Sequence, residues 1–294
     1  MGVRRTGRVT PAAACVLASC LGLTLWLAAR GAGDGPTRAD SSVLMQREPW
    51  GPDQKTREFT VTTPLAACEA RISRLPRQLP TVAIAGASFT AGTGPGNPLL
   101  SWAVVLARLL HWNAVVDGVP GAGYVSRGDG GSGPMTRMLS AEGLRSLQPS
   151  LVIVQAGHDD AGVPPATEQA GVRATLNLIH LTAPGARVAL LTVFAAAPGG
   201  TRALRQTDHV IVTAATATDP GVIIMDPLAS QWKFQHANGG LHPTAAGDAW
   251  IARKVLAILR AYGVRPVPAA TGAGAQPVIC AATAGEKQAA GASA

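Results

Sequence analysis

The chain has 294 residues, enough for one large domain or two small ones, with 47 % hydrophobic and only 14 % charged residues. Its formal net charge is +8, carried mostly by arginine. The arginines are scattered and aromatics make up 4 %, which argues against nucleic acid as a partner, since such surfaces cluster their cations among aromatic side chains. An anionic envelope surface remains compatible with this charge.

Arg4, Arg5 and Arg8 precede an almost uncharged stretch from Val9 to Ala29, which Arg30 closes. About twenty apolar residues span a bilayer as a helix, and the leading cations favour an N-terminus kept inside. Residues 1–30 are therefore expected to be a signal anchor, holding the protein to the membrane, with a cleaved signal peptide as the open alternative. The stretch Leu17–Cys20 also resembles a bacterial lipobox, although the apolar run continues past Cys20. Each version puts the bulk of the protein outside the cytoplasm. Residues 31–60, rich in Gly, Pro and Asp, read as an extracytoplasmic linker.

Cys15 and Cys20 fall in the apolar segment. That leaves Cys68 and Cys280, one on each side of the main domain. In an oxidising compartment they are expected to form a disulfide, the alternative being two unrelated thiols. Neither has a neighbour at metal-ligand spacing, so no metal site is expected.

Between these flanks, residues 61–265 alternate two patterns. Residues 81–87, 113–119, 151–157, 187–194 and 221–228 are short, β-branched and bounded by Gly, Pro or Asp. They are apolar on both faces, as strands of a covered parallel sheet must be. Helical patterns occupy 98–112, 136–147, 165–181, about 200–217 and 243–263. Strands alternating with helices imply an α/β fold, a three-layer doubly wound sheet of about five parallel strands. Residues 266–294, mostly Ala, Gly and Pro, read as a low-complexity tail apart from any anchoring by Cys280.

Ligands of such sheets bind beyond the carboxyl ends of the strands. Four useful elements fall there: Ser88 after the first strand, Gly121 after the second, the stretch "GHDDAG" (157–162) after the third, and His242 before the last helix. Taken together and in this order, "GASFTAG", "GVPGAGY", "GHDDAG" and "GGLHP" resemble the sequence blocks of the SGNH (GDSL-like) hydrolases, with a texture closest to exported actinobacterial members. The blocks are degenerate: Ala87 stands in place of an aspartate, Asp159 in place of an asparagine, and Gly239 in place of the aspartate that would orient the histidine. The resemblance implies a flavodoxin-like fold and ester or thioester hydrolysis with no cofactor.

On that reading Ser88 is the nucleophile and His242 the base that takes its proton. The amides of Ser88 and Gly121 donate to the developing oxyanion, with Asp159 as a third member of the hole. An ionised Asp159 only accepts hydrogen bonds, so it must be protonated or turned away to be compatible with that role. A backbone carbonyl near 239–240 would orient His242, with Asp226 a remote substitute. The pocket is expected in loops 89–97, 123–134 and 161–165. The expected activity is that of a serine esterase acting on small acyl or acetyl esters, including O-acylated envelope glycans or lipids. The alternative is a catalytically degenerate protein of the same fold that binds an envelope ligand. A nucleotide-binding sheet is disfavoured, because no loop has phosphate-cradling spacing.

Overall fold

The computed structural model describes residues 60–61, 65–76, 78–141, 143–196, 200–237, 240–268 and 276–281. The expected anchor at 1–30, nearly all of the linker and position 239 lie outside the described residues. Among the described residues no helix is long and apolar enough to cross a membrane.

Among the described residues seven strands form one sheet: β1 (Thr60–Val61), β2 (Thr81–Gly86), β3 (Asn113–Gly118), β4 (Leu151–Gln155), β5 (Arg187–Leu191), β6 (Ile223–Met225) and β7 (Val278–Ala281). Their spatial order is β1-β7-β3-β2-β4-β5-β6, and every pairing is parallel. The helices are α1 (Leu65–Arg74), α2 (Ser88–Ala91), α3 (Trp102–Leu110), α4 (Met135–Ala141), α5 (Leu144–Leu147), α6 (Pro165–Thr182), α7 (Arg202–Thr218) and α8 (Ala245–Ala261).

Residues β2 through β6 give the doubly wound order expected of a flavodoxin-like sheet. The chain passes from β2 to β3 on one side, then crosses back to β4 on the other. That reversal puts the topological switch point at the carboxyl ends of β2 and β4. Strand alternation sorts the core into two layers. Val82, Ile84, Val116 and Ile153 face α3 and α8, while Ala83, Ala85, Val152 and Val154 face α4, α6 and α7. All residues of β2, β3 and β4 are buried, as two covered faces require.

The sheet has two more strands than expected. Val278–Ala281, inside the segment read as a low-complexity tail, inserts between β1 and β3. Asn113 Oδ1 accepts the Val278 N–H at 2.9 Å. Cys280 forms a disulfide with Cys68 on α1, and both pack with Val115 and Val278. A four-residue strand shows no periodicity in sequence; long-range partners create it. Pro98 also starts only a short 3₁₀ turn (Pro98–Leu100), and α3 begins after Ser101, whose hydroxyl accepts the Val104 N–H.

Candidate active site

Ser88 stands two residues beyond the end of β2, at the first position of α2. Gln155, at the end of the neighbouring β4, fixes this turn. Its side-chain Oε1 accepts the Ala87 N–H at 3.1 Å and the Thr90 hydroxyl at 3.0 Å, and its carbonyl accepts the same Ala87 N–H at 3.2 Å. Gln155 is buried, so these bonds are made away from competing water. Sequence reasoning missed this residue, because a glutamine ending an apolar run carries no signal of a tether.

His242 reaches Ser88 from far along the chain. The strand-like segment 234–237 runs antiparallel to 242–244: the Ala237 N–H donates to the His242 carbonyl at 2.8 Å, the Thr244 N–H donates to the Gln235 carbonyl at 2.9 Å, and His236 bridges Pro243. The hairpin packs closely on Gly94, where a β-carbon would collide with the Pro243 carbonyl. His242 Nε2 lies 2.8 Å from Ser88 Oγ, across 154 positions of sequence. As a base, Nε2 accepts the serine proton, so the ring's own proton sits on Nδ1. Burial holds the His242 imidazole below its ordinary value, and nearby His158 pushes in the same direction.

The second rim loop follows β3. Pro120 and Gly121 occupy the centre of a turn closed by the Ala122 N–H on the Val119 carbonyl at 3.1 Å. Gly121 has φ of 75°, the left-handed value that a type II turn requires at its third residue. Asp160 holds the continuation of this loop. Its carboxylate accepts the N–H groups of Tyr124 at 2.6 Å, Val125 at 3.3 Å and Ser126 at 2.8 Å. Gly123 permits that approach, because a β-carbon there would occupy the Asp160 carboxylate. Neither the Ser88 nor the Gly121 amide donates to another described residue.

Asp159 lies in the loop that follows β4, half-buried. Burial pushes its carboxyl up, and Asp160 and Asp129 add to this, against His158 and its own backbone N–H. His158 Nδ1 lies 2.8 Å from the Phe194 carbonyl. A carbonyl only accepts, so Nδ1 carries the proton and Nε2 is left as an acceptor in the neutral ring. Asp226, the remote substitute for the missing acid, makes no hydrogen bond to His242 among the described residues. It accepts the Ala229 N–H at 2.7 Å and pairs with Asp208. Among the described residues no group of His, Cys, Asp and Glu is arranged to hold a metal ion.

The structure also places a cleft beside the dyad, in loops other than those expected to line it. It encloses about 450 Å³ between residues 194–196 and 227–236. Phe89 connects it to the dyad. The Phe89 ring stacks on Phe194 with centroids 4.2 Å apart, and lies 5.4 Å from the His242 ring.

A buried serine at a doubly wound switch point, paired with a histidine from the last rim loop, defines a candidate serine-hydrolase site. The model of the GDSL-like lipase/acylhydrolase family matches residues 84–250, which spans Ser88, Gly121, Asp159 and His242. The chain belongs to that family. No curated protein matches the sequence. Among solved structures, a family two carbohydrate esterase from Clostridium thermocellum in complex with cellohexaose is 17 % identical, covering 64 % of this chain and 66 % of its own, with a TM-score of 0.50. A carbohydrate esterase family 2 enzyme from Corynascus thermopiles (Myceliophthora fergusii) is 19 % identical, covering 63 % and 68 %, with a TM-score of 0.50. A salicylyl-acyltransferase from a tetracycline biosynthetic pathway is 18 % identical, covering 66 % and 57 %, with a TM-score of 0.51. At these identities the likeness is one of fold.

Proposed function

We propose that this chain is an extracytoplasmic serine esterase that cleaves small acyl or acetyl esters, with Ser88 as nucleophile and His242 as general base. The observation that carries the reading is the 2.8 Å contact between Ser88 Oγ and His242 Nε2. That separation is within the reach proton transfer needs. Ser88 Oγ attacks the acyl carbon while its proton passes to His242 Nε2. The carbonyl oxygen becomes an oxyanion facing the Ser88 and Gly121 amides. Collapse of the tetrahedral intermediate breaks the ester C–O bond, and the leaving alkoxide takes the proton from His242. Water, deprotonated by the same imidazole, then attacks the acyl-serine and regenerates Ser88. The disulfide and the arginine-led apolar N-terminal stretch support the location outside the cytoplasm. The esterase neighbours are compatible with an acyl-ester substrate, including O-acylated envelope glycans.

Asp159 favours a second reading, a non-catalytic protein of this fold that holds an envelope ligand, because a carboxylate in the oxyanion hole opposes catalysis. One experiment separates the two. The protein, produced in an oxidising compartment, is assayed on 4-nitrophenyl acetate and butyrate beside Ser88→Ala. Loss of turnover by about 10³-fold or more in Ser88→Ala, with fluorophosphonate labelling of the wild type alone, is the expected result. Equal rates for the two proteins would leave the binding-protein reading.

A further inference from the structure

We propose that the cleft beside Ser88 is a subsite for a pyranose ring bearing the ester, so that the substrate is an O-acylated carbohydrate. The chemistry rests on the esterase reading above; the substrate class rests on the cleft.

The cleft lies at the carboxyl ends of β5 and β6. Its lining includes the rings of Phe194, Trp232, Phe234 and His236, with Gln231 and Lys233 beside them. Trp232 packs edge-on against Phe194 and Trp250, at 6.2 Å and 5.9 Å. Phe234 and His236 lie 4.4 Å apart with their planes 37° from each other, a nearly continuous aromatic wall. Trp232, Phe234 and His236 are only partly buried, so their rings remain accessible.

Two sets of groups meet in this lining. The aromatic rings suit the C–H face of a sugar, while an amide, an ammonium and an imidazole suit its hydroxyl edge. His236 Nδ1 donates to the Leu241 carbonyl at 3.1 Å, which leaves Nε2 an acceptor for a hydroxyl. An unbranched acyl chain would use the rings and leave the polar groups idle. Gln231 has φ of 49°, a left-handed conformation that a side-chain-bearing residue adopts only at a cost.

The lining of the cleft stops short of Ser88 and His242, but one buried ring packs the two sites against each other. Phe194 and Phe234 both contact Phe89, the residue after the nucleophile. Phe234 and His236 sit on the hairpin arm that pairs with the His242 arm. A ring seated there presents an esterified hydroxyl to Ser88. The sugar alkoxide is then the leaving group, and His242 returns the proton to it.

The test compares substrates with the same kind of leaving group. Mono-O-acetylated methyl glucoside, galactoside and N-acetylglucosaminide are set against ethyl acetate and ethyl octanoate, using the full chain. At least one sugar acetate is expected to exceed ethyl acetate about tenfold or more in kcat/KM. Trp232→Ala is expected to lower that ratio about tenfold through KM, and the exposed Lys233→Ala to lower it less. A preference for ethyl octanoate that Trp232→Ala removes would overturn the proposal in favour of an acyl pocket. Ratios unmoved by either variant would overturn it as well. Retention of all turnover by Ser88→Ala would sink the esterase reading instead. Calorimetry with the unesterified methyl glycosides then decides for the cleft alone: binding that Trp232→Ala abolishes supports it, and no binding overturns it.

Discussion

Asp159 carries a conflict that one residue can resolve. The resemblance gives its position to a hydrogen-bond donor, yet an ionised carboxylate offers none and repels an oxyanion. Burial, reinforced by Asp160 and Asp129, raises the carboxyl above its ordinary value. A protonated carboxyl donates, so Asp159 assists when pH is below its folded-state value and hinders above it. His242 runs the opposite way. Its value is lowered, so it stays a neutral base further into acid. The activity optimum is therefore expected at acid pH, with Asp159 setting an alkaline fall and His242 an acid one. Asp159→Asn supplies a donor at every pH. It should remove the alkaline fall and raise kcat at pH 8 by about 10²-fold, the value of one oxyanion donor. The check is a pair of pH–rate profiles on 4-nitrophenyl acetate. Superimposable profiles would mean that residue 159 does not reach the oxyanion.

The rim loops depend on anchors that the strands themselves do not supply. Asp160 alone gathers three backbone N–H groups from the loop that follows Gly121. Asp160→Ala leaves those donors unpaired, and bonds to a charged acceptor are among the stronger ones in a protein. The variant is expected to lose on the order of 3 kcal/mol in stability, and kcat should fall about 10²-fold as the Gly121 amide shifts. Urea melts and steady-state rates would show both; a fall in stability with kcat intact would separate the anchor from the site. The strands β2 to β6 could be read from sequence because they face helices on both sides, and that double burial is written as β-branched runs. Ser88 and His242 could be read because each sits in a short local block. The strand β7 could not, since its partners Cys68 and Asn113 are more than 160 positions away. The aromatic cleft could not either. Phe194 follows β5 while Trp232 and Phe234 follow β6, and only the fold brings the two segments together.

At the scale of the molecule, two long-range devices set stability. The Cys68–Cys280 bridge closes a separation of 212 residues and pins β7 between β1 and β3. Reducing it, or Cys280→Ser, should cost about 2–4 kcal/mol, read as a lower melting temperature that reductant does not lower further in the variant. The second device is a set of buried acids. Asp248 at the start of α8 is fully buried; one oxygen accepts the Trp102 N–H at 2.9 Å, and the other has no partner among the described residues. Burial pushes its carboxyl up to about 8, against the pull of the Trp102 bond. Glu168, with both oxygens unpartnered, is likewise pushed up to about 8, by burial and then by Asp160. A carboxyl whose folded value stands above its unfolded value holds its proton more tightly in the folded chain. Its contribution is complete below an ordinary pH of about 4 and is lost as pH climbs to about 8. The melting temperature should therefore decline steadily from pH 5 to pH 8.5. Asp248→Asn keeps an acceptor for Trp102 and cannot ionise. It should be more stable than the wild type at pH 8.5 by on the order of 2 kcal/mol, with the gap closing toward pH 4. Because α8 begins two residues after the His242–Pro243 arm, the same substitution should also extend the alkaline range over which the enzyme survives heating. A wild-type melting temperature that is flat or rising across this window, or an Asp248→Asn protein that melts lower at pH 8.5, would show that this acid is not held neutral in the fold.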